Sequence, residues 1–310
     1  MLPGVHERKY ELDSPAAFLR LSAGYWAAVQ DTQPFDDAWL KAVEAVFHLI
    51  RTEQQEHWKS PYQFRRGCLS GNTPGNYGYG DPVQPCGLVR SGFRPSDDVC
   101  KLPYLVPSNA MMAVELGRVG ELLDALEFSE AAREARRLSA VIREALEKNA
   151  VCAHPDLGEI WAYEVDGFAG QYLMDDANVP SLLSLPYLGF CAKDDPRYLR
   201  TRTFCLSPAN PYFARSGDVA GIGSPHTGHG TVWPMAITMQ ALTAVDDAEI
   251  LNCLRILKAT HANTGFQHES FDPRDPKKFT RPWFAWANTL FGELILTLHR
   301  DRPHLLQREV

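Results

Sequence analysis

The feature that most constrains this chain is a helical periodicity that keeps restarting between long loops. In residues 14–30 the apolar positions Phe18, Leu21, Tyr25, Trp26 and Val29 recur at spacings of three and four. Residues 36–52 repeat the pattern with Leu40, Val43, Val46, Phe47 and Ile50, and residues 108–126 with Met111, Val114, Leu116, Val119, Leu122 and Leu123. Ser129 is expected to cap the next helix, in which Leu138, Val141, Ile142 and Leu146 oppose a charged face. Residues 180–188, 196–206, 230–244, 247–260 and 283–299 bring the expected total to about nine helices. Strand signals are sparse, with one short candidate at residues 160–165.

The connections at residues 67–107, 166–180, 207–230 and 265–282 are long and rich in Gly and Pro. Loops of that length inside a compact protein carry function. No low-complexity tract or composition shift marks a linker, so one domain is expected. Helical hairpins arranged in a ring or a solenoid suit the pattern.

Composition enters as a set of exclusions. Over 310 residues, 31 Lys and Arg against 38 Asp and Glu leave a net charge of −7, which argues against a nucleic-acid partner. No apolar run reaches the roughly 18–20 residues of a membrane span, and the first nine residues lack the apolar segment of a secretory signal. The cysteines are Cys68, Cys86, Cys100, Cys152, Cys191, Cys205 and Cys253, widely spaced and without a Cys-x-x-Cys pair. Reduced thiols in a cytoplasmic protein are therefore expected.

Four loop clusters hold the chemistry. In Ser91–Asp98 two adjacent carboxylates, Asp97 and Asp98, lie beside Arg94; either is a candidate general acid, or the pair is a solvated cap. In Asp175-Asp176-Ala177-Asn178 the acidic pair suits Mg²⁺ and a diphosphate, or sugar hydroxyls, or simple capping ahead of Pro180. Residues 221–234 are glycine-rich but lack the Gly-Lys-Ser/Thr of a phosphate loop. Their two histidines, His226 and His229, form a weak metal pair, and Trp233 is a candidate pocket wall. In the fourth cluster Glu269 is the natural general base; Arg281, Trp283 and Trp286 follow, the tryptophans three apart as on a helix, either core aromatics or a sugar platform. Many carboxylates, several Trp, and no metal or nucleotide signature suit a neutral polyhydroxylated ligand. Cleaving a glycosidic bond requires two carboxylates across it.

At these residues the chain resembles glycoside hydrolase family 125, the metal-independent exo-α-1,6-mannosidases. The matching stretches are HERKYELDS from His6, SGFRPSDD from Ser91, VPSN from Val106, YEVDG from Tyr163, MDDANVPSLLSLPYLG from Met174, NPYF from Asn210, GIGSPHTG from Gly221, WPM from Trp233, HESF from His268, TRPWFAWAN from Thr280 and FGEL from Phe291. They run in family order across nearly the whole chain.

The resemblance implies an all-α, (α/α)₆ barrel and hydrolysis of a terminal α-1,6-linked mannose with inversion, without a cofactor or metal. The partner is a mannose-containing oligosaccharide or glycan. Glu269 matches the family's general base and the general acid falls at Asp97 or Asp98. Arg94, Asp175, Asp176, Asn178, His226 and Arg281 become hydroxyl ligands, with Trp283 as a wall. The family's N-terminal region, with its Trp-Leu-Arg-Asp-Ser stretch, is absent from this sequence. Residues 1–310 are therefore expected to form a single catalytic domain lacking its first helices. The alternative is a truncated, non-catalytic homologue that at most binds mannosides.

Overall fold

The computed structural model describes residues 7–65 and 72–309; His6 and Cys68 lie outside the described residues. Two compact units divide the chain: residues 1–152 with 161–172, and residues 153–160 with 173–310. The division falls within a short hairpin.

The first unit contains α1 (Asp13–Val29), α2 (Asp37–Glu53), a single turn α3 (Gly75–Gly78), β1 (Tyr104–Leu105), α4 (Val106–Ala125) and α5 (Ser129–Asn149). The boundary hairpin, β2 (Val151–His154) and β3 (Gly158–Trp161), follows. Then come β4 (Glu164–Val165) and β5 (Gln171–Tyr172), which join β1 in a small antiparallel sheet of order β1-β4-β5. Helix α4 is buried on nearly every side through its first three turns and packs against α1 and α5. Helix α5 buries one stripe, Ala132, Ala135, Leu138, Ser139, Ile142, Ala145 and Leu146, as an amphipathic helix must. Asp36 starts α2 by accepting the Ala38 and Trp39 amides.

The second unit contains α6 (Leu185–Leu188), α7 (Pro196–Cys205), β6 (Phe213–Ser216), β7 (Val219–Ile222), α8 (Pro234–Thr243), α9 (Asp247–Thr260), β8 (Ser270–Asp272), β9 (Asp275–Thr280), α10 (Ala285–Asp301) and α11 (Pro303–Leu306). Helix α8 repeats the role of α4: it is nearly all buried and packs against α9 and α10. Among the described residues the fold is predominantly helical, and no helix is long and apolar enough to cross a membrane.

The periodicity located eight helices of ten residues or more. Four details differ from expectation. Helix α5 opens on Ser129 itself, with Phe128 at the cap position and no side-chain cap. The expected helix at 180–188 shrinks to the turn α6, because the Leu182 and Leu183 amides bond the Asp175 carboxylate rather than helical carbonyls. The candidate strand at 160–165 is broken between β3 and β4. Two hairpins, β6–β7 and β8–β9, occupy stretches expected to be loop.

Candidate active site

In the first unit the Ser91–Asp98 loop is held from both ends by groups outside it. Asn109, in the first turn of α4, accepts from the Val89 amide (2.8 Å) and donates to the Val89 carbonyl (2.9 Å). The Tyr10 carbonyl accepts the amides of Gly92 (3.1 Å) and Phe93 (3.2 Å). Arg94 is buried; its Nε donates to Glu164 Oε1 at 2.6 Å, and its guanidinium lies over the rings of Tyr163 and Tyr172. Glu164, itself fully buried, takes the Lys101 and Leu102 amides on its other oxygen. Those two amides satisfy the carboxylate side of this buried pair, whereas Arg94 Nη2 is buried without a hydrogen-bond partner. Arg94, expected to be a sugar ligand, is thus also the root of the loop.

The two carboxylates at the loop tip differ. Asp97 has a left-handed backbone (φ 68°) and an exposed side chain, whose Oδ1 accepts from Lys9 Nζ at 2.7 Å. Asp98 is half-buried, and Ser96 Oγ donates to it at 2.9 Å.

The second unit draws the other three clusters together. Every oxygen of the Asp175-Asp176 pair is engaged by the protein. Asp175 accepts the Leu182 (2.8 Å) and Leu183 (3.0 Å) amides. Asp176 accepts the backbone and side-chain nitrogens of Asn178 and the hydroxyl of Ser224. Burial, opposed by those amides, pushes the Asp175 carboxyl up to about 7. Asp175 thereby fastens the turn before α6 and does not cap that helix, whose N-cap residue, Ser184, makes no side-chain cap bond. A diphosphate-bound Mg²⁺ finds no open carboxylate there, and among the described residues no group of three His, Cys, Asp or Glu could hold a metal ion.

From this anchor the glycine-rich loop runs close against its neighbours. The Ala177 amide donates to the Gly223 carbonyl (3.0 Å). A Cβ on Gly223 would meet the Thr231 carbonyl oxygen at 2.4 Å, so glycine here serves backbone packing and not phosphate binding. His226 is exposed on a 3₁₀ turn capped by Ser224. His229 instead bonds the Pro211 carbonyl and stacks on Tyr212. Trp233, a candidate wall, is only 1% exposed and belongs to the core, with Nε1 donating to Thr227 Oγ1.

The Val232 and Phe271 backbones exchange a pair of 2.9 Å hydrogen bonds, which ties this loop to the strand bearing the candidate base. Glu269 precedes β8. It is 5% exposed, and its Oε1 lies 3.2 Å from Arg281 Nε. Arg281 has a left-handed backbone (φ 40°) and lies over Phe284. His268 stacks on Phe279 and bonds the Pro282 carbonyl; burial lowers its pKa and favours the neutral ring. Asn288 clamps Gln267, two residues before the base, through both amide groups. Trp283 is exposed and precedes α10, whereas Trp286 is half-buried within it, so the two do not share a helix face as their spacing suggested.

The sequence reading passed over several residues that build these sites: Asn109, Glu164, Ser224 and Asn288 as anchors, and Glu11 and Asp13 beside the acid loop. Glu164 carried a usable signal, a lone acid within the apolar run Ile160–Val165. The others sit in matched stretches, but their partners lie far off in sequence.

Comparison with known proteins agrees with this architecture. Residues 2–296 match the family described as metal-independent alpha-mannosidase (GH125), and the chain belongs to that family. It is similar to the meiotically up-regulated gene 157 protein of Schizosaccharomyces pombe, 46% identical over 98% of this chain and 62% of that protein. The chain thus spans about three-fifths of the length of that curated relative. Among solved structures it is similar to a Streptococcus pneumoniae protein from a study of metal-independent alpha mannosidases and the processing of N-linked glycans, captured in a non-productive substrate complex with alpha-1,6-mannobiose. That likeness has a TM-score of 0.92 at 40% identity and covers 96% of this chain and 71% of that one.

Proposed function

We propose that this protein is a glycoside hydrolase that removes non-reducing terminal α-1,6-linked mannose with inversion. The observation that carries the reading is family membership over residues 2–296, joined to a nearly buried carboxylate, Glu269, beside Arg281. Glu269 takes a proton from water as the oxygen attacks the anomeric carbon. Asp97 or Asp98 delivers a proton to the departing glycosidic oxygen in the same step. Inversion requires roughly 6.5–9.5 Å between the two carboxyls, leaving room for that water. Arg94, Asn178, His226 and Arg281 are proposed to meet sugar hydroxyls, directly or by shaping the pocket, with exposed Trp283 as a stacking surface. Asp175 and Asp176 are proposed to act by fastening the turn before α6, Asn178 and Ser224. The reading carries with it a single catalytic domain of (α/α)₆ type. The buried helices α4 and α8, each flanked by two others of its own unit, support that reading.

Incubation with α-1,6-mannobiose, followed by NMR, tests the proposal. β-Mannose is expected first, at a rate unchanged by EDTA. Release of α-mannose first would overturn inversion. Binding without release would favour a non-catalytic mannoside binder.

A further inference from the structure

We infer that Arg281 is a positioning residue for the general base: it holds one carboxylate oxygen of Glu269 and so fixes the other for the attacking water. The inference rests on the glycosidase reading above. It assigns to Arg281 the indirect of the two routes by which that reading lets it serve the sugar pocket.

The arrangement is built by a backbone crossing. The chain leaves β9 at Thr280 and passes back over the segment that carries the base. The Phe284 amide donates to the Gln267 carbonyl at 3.3 Å, and His268 Nδ1 bonds the Pro282 carbonyl at 2.9 Å. The Glu269 amide is shared between the carbonyls of Thr280 (3.3 Å) and Arg281 (3.4 Å). The Ser270 amide donates to Thr280 Oγ1 at 3.2 Å, and the two hydroxyls lie 2.8 Å apart. Four successive residues, 267–270, are thus stitched to the stretch 280–284, with Arg281 in its midst.

Arg281 pays for its place in conformation. Its backbone is left-handed (φ 40°) immediately before Pro282, a combination that both its own Cβ and the proline ring oppose. Such a backbone persists only where the surroundings over-determine it, and here the stitches on either side do so. The strained turn sets Arg281 Nε 3.2 Å from Glu269 Oε1. The guanidinium also lies over the Phe284 ring, 5.6 Å from its centroid, and Phe284 meets the core residue Trp233 at 87°.

The two ends of this ion pair differ. The Glu269 side chain is 6% exposed and the Arg281 side chain 60% exposed. A pair so open at one end adds little to stability, so its worth lies in direction. General-base catalysis needs the water within hydrogen-bond reach of a fixed oxygen, and holding Oε1 fixes Oε2. In the step, the water O–H bond breaks and its proton passes to Oε2 as the water oxygen bonds the anomeric carbon. The glycosidic bond breaks, and its oxygen takes the proton of the acid. Arg281 exchanges no proton and stays a cation throughout.

The test is Arg281→Ala acting on α-1,6-mannobiose. Its kcat should fall about 10²-fold, while its affinity for thio-linked α-1,6-mannobiose, read by calorimetry, stays nearly unchanged. Because the side chain is reached from solvent, added guanidinium ion should restore rate to Arg281→Ala and not to the wild type. Arg281→Lys keeps the charge but not the planar fork and should remain well below wild-type kcat. In the Glu269→Gln background Arg281→Ala should change kcat by no more than about twofold, since a residue that acts through the base has nothing left to lose. A loss of affinity at unchanged kcat would make Arg281 a sugar ligand and overturn the inference, as would fully additive losses in the double variant. If Arg281→Ala does not fold, Arg281→Lys and its double variant with Glu269→Gln read the same coupling. If the wild type cleaves no mannoside, the glycosidase reading fails alone. The ¹H–¹⁵N signal of Arg281 Nε then decides the pair: it should shift in Glu269→Gln, and an unmoved signal would overturn the inference.

Discussion

The chain contains two Asp-Asp pairs in glycine- and proline-rich loops, and the structure uses them in opposite ways. Asp97-Asp98 stands at the tip of a loop that other residues hold: Asn109 at its root, Arg94 on Glu164 beneath it, and the Tyr10 carbonyl at its side. Its carboxylates are left to side-chain partners, Lys9 and Ser96 among them. Asp175-Asp176 does the holding itself. Its oxygens fasten the turn before α6, Asn178 and Ser224, all out of solvent. The lesson is that an acidic dipeptide is chemically available only where something else satisfies the surrounding backbone.

The largest effect expected from this contrast is catalytic. Glu269→Gln should lower kcat about 10³-fold while sparing mannoside affinity, read by NMR turnover and by calorimetry. A variant with wild-type turnover would remove the base from the scheme. Next comes the root of the acid loop. Glu164→Gln strands the Arg94 guanidinium in the interior and should cost about 3–5 kcal/mol in denaturant unfolding. A near-neutral result would mean the loop is held by its backbone contacts alone.

The two pairs can then be set against each other directly. Asp175→Ala leaves two buried amides unbonded and should cost about 2–3 kcal/mol, whereas Asp97→Asn at an exposed tip should stay within about 0.5 kcal/mol. Equal losses would dissolve the comparison. The pH dependence sharpens it. The folded-state pKa of Asp175, about 7, lies above its value of about 4 in an unfolded chain. Its contribution to stability is therefore fully present below about pH 4 and is lost as pH rises through about 7. Asp175→Asn should flatten the stability curve across that window, and an unchanged curve would show that Asp175 is ionised throughout. The smallest effect belongs to the platform. Trp283→Ala should raise KM several-fold, within the roughly 0.5–1.5 kcal/mol of an aromatic contact, and leave the Tm where it was.

Legibility followed the range of the forces. Helices α1, α2, α4, α5, α7, α8, α9 and α10 could be read because helical periodicity is local. The hairpins β6–β7 and β8–β9 could not, because their strands are short and pair only once turns such as Asp272–Asp275 close. The site divides the same way. Glu269, Asp97 and Asp98 could be named from residue type and motif. Trp233, named as a wall, is core, because the sequence gives no sign that its indole would find Thr227 inside.

Taken alone, the sequence determined the helical class, the four loop clusters and, through its ordered motifs, the family. Those depend on periodicity and on residue identity, which are properties of short stretches. Only the tertiary structure decided which carboxylates stay open and which become fasteners. Those outcomes depend on partners tens of residues away, and a buried carboxylate takes whichever donor the packing brings within hydrogen-bond reach.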